Sequence, residues 1–212
     1  MDTDTSTQPP PNHHGDHAGF SGIRGWLAGR SIAIGRDGDA QLAIRLTGLG
    51  PQDHVVDVGC GPGVALEHAA RVGASVTGID PATVMLRMAR RRTRRTRGIE
   101  LREGRAEALP LLDGSATVVW SLATVHHWPD LDGGLDEVHR VLRPGGRFLA
   151  GERQTTPGAT GLASHGWTPD QAEAFAELAR AHGFTDVRVD RHPLAHRRQS
   201  RGDALTVLAI RP

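Results

Sequence analysis

Val55-Val56-Asp57-Val58-Gly59-Cys60-Gly61-Pro62-Gly63 is a short apolar run that breaks into glycines. The run reads as a buried strand with an acid, Asp57, near its end. The glycines allow a tight turn and a close approach of backbone to a ligand. Residues 64–72, directly after the loop, carry a helical pattern. A strand, a glycine loop and a helix in that order open an α/β unit. In an open parallel sheet, ligands bind beyond the carboxyl ends of the strands, which makes residues 59–63 the first candidate for a binding site.

Outward from this stretch the chain alternates. On its amino-terminal side, residues 39–49 read as a helix with Leu42, Ala43, Leu46 and Leu49 on one face, ended by Gly50-Pro51. On its other side come a strand at 75–79, a helix at 82–95 and strands at 99–102 and 117–121. A helix at 131–142 stops at Arg143-Pro144-Gly145-Gly146, and a strand follows at 147–150. Residues 168–182 form a helix with Thr168 as N-cap, Pro169 at the first position and Gly183 closing it. Residues 185–190 and 204–210 are the last two strands. Strands alternating with helices give a mostly parallel sheet covered on both faces, a doubly wound Rossmann-like α/β fold. Only a turn-like stretch, 192–203, separates the last two strands, so the last one can run antiparallel.

Bulk properties narrow the class. A chain of 212 residues supports one well-buried domain. A formal net charge of +1 gives no argument for nucleic acid or a membrane surface. Cys60 is the single cysteine, which excludes an intrachain disulfide and a cysteine zinc cluster. No run reaches the ~18 apolar residues of a membrane span, and the start lacks the apolar core of a signal peptide. The default expectation is a soluble cytoplasmic protein. Residues 1–19 are polar and proline-rich and read as a disordered tail. Asn12-His13-His14-Gly15-Asp16-His17 within it lacks the rigid frame a metal site needs, so a solvated tail is the favoured reading. Residues 20–212 form the domain. Within it Ile23, Trp26 and Leu27 recur at helical spacing, and residues 20–36 are a candidate lid.

The loop is Gly-x-Gly-x-Gly, with Val64 where a dinucleotide fingerprint has its third glycine; no Gly-Lys-Ser/Thr follows, so it is not a P-loop. Asp57 would repel a phosphate and attract an ammonium group, so the ligand carries positive charge near the loop. Asp80 ends the next strand, about twenty residues beyond the glycines, where an acid accepts hydrogen bonds from ribose hydroxyls. A ribose at one end and a cation at the other describe S-adenosylmethionine.

With those residues in place the chain resembles a class I S-adenosylmethionine-dependent methyltransferase of the methyltransferase type 11 group, which includes ubiquinone- and menaquinone-biosynthesis-like enzymes. The likeness runs from about Gly48 to Ala150. It rests on residues 55–63, on Gly78-Ile79-Asp80, on Gly104-Arg105-Ala106-Glu107-Ala108-Leu109-Pro110, on Val125-His126-His127-Trp128 and on Leu142-Arg143-Pro144-Gly145-Gly146. The resemblance implies a seven-stranded sheet with an antiparallel last strand. It also implies cofactor contacts from Asp57, Gly59, Cys60, Gly61, Gly63, Asp80, Pro81, Met85, Arg105, Ala106, Glu107, Ser121 and Leu122, with S-adenosylhomocysteine as product. Arg105 departs from the family, which places an aspartate or asparagine there to meet the adenine amino group. Arginine has no acceptor. Either the Ala106 backbone or Glu107 takes over, or Arg105 stacks on the ring, or it points to solvent.

Other signals weigh less. Seven arginines between Leu86 and Gly98 read as a solvated helix face, since no aromatic residues are interleaved to stack bases. Cys60 reads as a small packing residue. His126 follows the fourth strand at the ligand edge and is the candidate base or substrate anchor, the alternative being that His-His-Trp packs the loop. The adjacent His127 is expected to point elsewhere. Trp26 and Trp128 either wall an apolar slot or pack. No acidic cluster suggests magnesium, and no metal is assigned. Only residues 151–167 are available beyond the fifth strand, which suits a small organic substrate. The competing readings are an RNA or protein methyltransferase, a nonenzymatic S-adenosylmethionine-binding module and, last, a nicotinamide dehydrogenase. Oligomeric state is not legible.

Overall fold

The computed structural model describes residues 37–160, 164–193 and 203–212. The expected tail (1–19), the candidate lid (20–36) and Trp26 lie outside the described residues. In chain order the elements are α1 (Asp37–Thr47), β1 (His54–Val58), α2 (Val64–Arg71), β2 (Ser75–Asp80), α3 (Thr83–Thr93), β3 (Ile99–Glu103) and β4 (Ala116–Leu122). A 3₁₀ turn (Val125–His127), α4 (Leu131–Val141), β5 (Leu142–Arg153), α5 (Pro169–Ala181), β6 (Thr185–Pro193) and β7 (Asp203–Ile210) follow.

The seven strands form one sheet in the order β3-β2-β1-β4-β5-β7-β6. β1 pairs parallel with β2 and β4, β2 with β3, and β4 with β5. β7 runs antiparallel to both of its neighbours, β5 and β6. The expected mostly parallel sheet with an antiparallel last strand is what the chain forms. Strand order reverses between β1 and β4, the switch point at whose carboxyl edge open α/β sheets form their binding crevice.

Side-chain alternation splits the core in two. Val56, Val119 and Phe148 face α4 and α5, in a cluster with Leu135, Val138, Trp167 and Phe175. Their chain neighbours Val55, Val118 and Leu149 face the other way, with Ala43 of α1, Leu66 of α2 and Leu86 of α3. Successive residues of a strand point to opposite faces, so an apolar run such as 55–58 feeds both layers. Local chemistry sets the helix starts. Thr168 and Gln171 form a reciprocal capping box with Pro169 at the first helical position of α5. The Asp130 side chain accepts the Gly133 N–H at the start of α4.

Element boundaries differ from expectation in one place that matters. β5 was expected at 147–150, but it starts at Leu142, passes through a register shift and continues to Arg153. The extension is polar, yet Gly151, Glu152 and Arg153 pair with Thr206, Leu205 and Ala204 of β7. The antiparallel partner satisfies backbone groups that composition alone assigns to a loop. Among the described residues no helix is long and apolar enough to cross a membrane.

Candidate active site

β1 delivers Asp57, 3% exposed, to the crevice between its neighbours Gly78 and Trp120. The chain then turns on residues 59–63. The Gly59 and Cys60 N–H groups both donate to the Ile79 carbonyl, at 2.8 and 3.0 Å, which ties the loop to the end of β2. Asp80 completes the tie. One of its carboxylate oxygens accepts the Gly61 N–H at 2.9 Å and the other the Ala82 N–H at 2.8 Å. Burial raises the Asp80 pKa, and these two N–H groups oppose the shift. A carboxylate offers about four lone-pair positions, so two remain for hydroxyl donors.

The glycines have separate reasons. A side chain on Gly59 would strike Thr124 at 2.7 Å, and one on Gly63 would meet Ala89 of α3 at 3.0 Å. At Gly61 (φ +53°) an added Cβ meets no atom within 4 Å, so the backbone there faces open space. Arg92 braces the loop from α3, donating to the Pro62 carbonyl at 3.2 Å and pairing with Glu67. Cys60 is buried, and burial together with the charges of Asp57 and Asp80 pushes its thiol pKa well up. The thiolate is the nucleophilic form, so Cys60 packs rather than reacts.

Met85, in the first turn of α3, is 2% exposed and Pro81 is exposed. Ala106 is buried, and one Glu107 carboxylate oxygen is buried without a hydrogen-bond partner. Arg105 points to solvent, its side chain 68% exposed and 3.8 Å from Glu107. Ser121 and Leu122 end β4, both buried. Trp128 packs against Gly134 of α4 within the core, which decides between its two readings.

Beyond β4 the backbone is strained. Ala123 has φ +55°, and its N–H donates to the Gly151 carbonyl at 2.6 Å. Thr124 hydrogen-bonds Ser121 at 2.7 Å and donates to the Val58 carbonyl at 2.9 Å, joining β4 to β1 across the switch point. Two residues on, His126 is 4% exposed. Its Nδ1 meets Glu152 Oε2 at 2.9 Å, and its backbone N–H donates to Glu152 Oε1 at 3.4 Å. A carboxylate only accepts, so Nδ1 is the donor to Glu152, and in the neutral ring the lone pair is then on Nε2. Nε2 is buried and without a partner. His127 does not point elsewhere: its ring centroid lies 4.0 Å from that of His126, and His165 lies 5.4 Å from His126.

Sequence reasoning missed Glu152, His165 and Thr124. Glu152 and His165 are 26 and 39 residues from His126 and belong to no motif. Their placement follows from the unanticipated extension of β5. Arg153 donates to the His165 carbonyl, and Gly166 lies directly on the Arg153 carbonyl, where any side chain would collide.

The methyltransferase domain family matches residues 56–150. The 27-O-demethylrifamycin SV methyltransferase of Amycolatopsis mediterranei is 31% identical over 200 residues, covering 86% of this chain and 70% of that protein. The chain belongs to the class I S-adenosylmethionine-dependent methyltransferases. The demethylmenaquinone methyltransferase of Tropheryma whipplei is 36% identical over 112 residues, 53% of this chain and 46% of that one. The crystal structure of an S-adenosylmethionine-dependent methyltransferase from Aquifex aeolicus superposes with a TM-score of 0.71 at 16% identity, covering 88% of this chain and 98% of that chain. This chain spans about half or less of the length of several curated relatives that it matches. The residues present fit the methyltransferase cofactor, S-adenosylmethionine. Gly61 leaves open space where the backbone would meet it, Asp80 retains free acceptor positions, and Glu107 offers an orphaned acceptor oxygen.

Proposed function

We propose that the protein methylates a nucleophilic atom of a small organic molecule, with His126 as base or acceptor anchor. The observation that carries this reading is the buried, unpartnered Nε2 of His126, oriented by Glu152 beside the switch point. Asp57, residues 59–63 and Asp80 hold the cofactor, which supplies an electrophilic methyl group on a sulfonium. The Glu107 oxygen accepts from the adenine amino group in place of the family acid that Arg105 replaces. Support for a small acceptor comes from relatives named for rifamycin and menaquinone precursors.

The sulfonium charge disappears as the methyl group leaves, so the site needs little further charge stabilisation. Its work is to align the nucleophile and exclude water, worth about 7–11 kcal/mol in favourable cases. Thr124 fixes the distance between the cofactor side, at β1, and the acceptor side, at His126. Where the attacking atom carries a proton, Nε2 takes it, and Glu152 stabilises the imidazolium.

The test is S-adenosylhomocysteine release across a panel of small hydroxyl, amine and activated-carbon acceptors, with bulk RNA and protein as a second arm. With the acceptor identified, His126→Ala is expected to slow turnover about 10²–10⁴-fold while leaving cofactor affinity nearly unchanged. Full turnover in the variant across pH overturns the role of His126, and methylation confined to RNA or protein overturns the small acceptor.

A further inference from the structure

His126, His127 and His165 each offer a ring nitrogen, and the three nitrogens lie within 4.8 Å of one another. We propose that they form a binding site for a divalent transition-metal ion of the zinc, cobalt or nickel class. Imidazole suits these ions, whereas magnesium and calcium select oxygen. Three protein ligands leave a fourth position open in a tetrahedral site.

Four features of the surroundings support the assignment. The Nε2 atom of His126 is buried and without a hydrogen-bond partner, so in the neutral ring its lone pair is unused. Glu152 holds Nδ1 of the same ring at 2.9 Å. A carboxylate on the far nitrogen fixes the tautomer and increases the basicity of a ligating histidine. The rings are inclined rather than stacked, with interplanar angles of 45°, 51° and 89°, so their edges can converge on one point. Finally, the backbone on both sides is held. The His127 and Trp128 N–H groups close the 3₁₀ turn at 2.9 Å each, and Arg153 and Gly166 clamp the chain at His165.

Bonds of about 2.0–2.1 Å at tetrahedral angles bring ligand nitrogens to ~3.3 Å. The three nitrogens lie within 4.8 Å of one another, so binding draws the half-buried His127 and His165 rings closer around the ion. Glu152 supplies a negative charge to offset it.

The ion site stands on these residues alone. Its consequence rests on the proposed role of His126: Nε2 holds an ion or takes a proton, not both, so loading with metal inhibits methyl transfer. Binding itself is read without any acceptor. The full chain, free of purification histidines and stripped with a chelator, is titrated with Co²⁺ by visible absorption and with Zn²⁺ by calorimetry. We expect one ion per chain with the ligand-field bands of tetrahedral cobalt, displaced by Zn²⁺ and indifferent to Mg²⁺. His165→Ala and His127→Ala weaken binding at least about tenfold, and Glu152→Gln does so about 10–100-fold. Combined His13→Ala, His14→Ala and His17→Ala leave binding unchanged, which separates the site from the histidines of the amino-terminal segment. The proposal is overturned by absence of cobalt bands at stoichiometric ion, by wild-type affinity in His165→Ala, or by loss of binding in the His13/His14/His17 variant. None of these outcomes bears on whether methyl transfer occurs.

Discussion

Three glycines in one five-residue loop do different things, and substitution can separate them. Gly61 has φ +53° and open space around it, whereas Gly63 has φ +81° and Ala89 at 3.0 Å. Gly61→Ala carries only the left-handed backbone cost, about 1–2 kcal/mol, but its methyl group enters the space left for the cofactor. Gly63→Ala adds a tight contact with Ala89 of α3, at 3.0 Å from its Cβ and 3.1 Å from its Cα, and so strains the α2–α3 contact. Calorimetry with S-adenosylmethionine and thermal melting together are expected to show lost affinity with near-native stability for Gly61→Ala, and a larger fall in melting temperature for Gly63→Ala. Wild-type affinity in Gly61→Ala would remove the cradle. At this scale the sequence was informative where chemistry is local. The acid at Asp57, the glycines and Asp80 are read from spacing alone. The solvent-facing Arg105 and the His126–Glu152 pair are not, because each depends on how distant segments meet.

The helices α4 and α5 are joined at their surface by one histidine. His182, which caps α5, places Nδ1 2.7 Å from Asp136 and Nε2 2.9 Å from Asp132, both on α4. Burial works to lower its pKa, but the two carboxylates outweigh it and the pKa is raised. A raised histidine pKa stabilises the fold fully below the unfolded value of about 6.5, and the contribution is lost as pH rises through the folded value. His139 titrates in the opposite sense: burial and the Arg211 charge lower its pKa, so its protonation works against the fold. Comparing His182→Gln with wild type isolates the first effect. The gap in melting temperature is expected to be widest near pH 5.5 and to close toward alkaline pH, and a gap independent of pH would refute the clamp. Elements with strong local signals, such as α5 with its capping box, were legible in the sequence. The extension of β5 was not, since Gly151, Glu152 and Arg153 have no strand-like pattern; Gly151 pairs with both β4 and β7, and Glu152 and Arg153 pair with β7.

Across the whole molecule, the end of the sheet opposite the site is knotted by Asp53. It accepts from Thr117 at 2.7 Å and from the Gly50 N–H at 2.9 Å, and it pairs with Arg147, which also donates to the Thr47 carbonyl. Burial alone would raise the Asp53 pKa, but these hydrogen bonds and the Arg147 charge lower it. Its contribution is therefore present above the unfolded value of about 3.9 and is lost as pH falls through the folded one. Asp53→Ala is expected to cost about 1–3 kcal/mol in denaturant unfolding, with cofactor affinity unchanged. A loss of affinity equal to the loss of stability would contradict the separation of the two ends. The strand order β5-β7-β6 has a last consequence. Among the described residues β6 has no sheet partner except β7, so the chain must place its later strand before its earlier one can join. If β7 detaches, β6 leaves with it and the paired edge of β5 becomes a bare row of N–H and C=O groups. Such an edge recruits strands from other molecules, so partial opening at this margin leads toward aggregation while the glycine loop, four strands away from β6, is still folded.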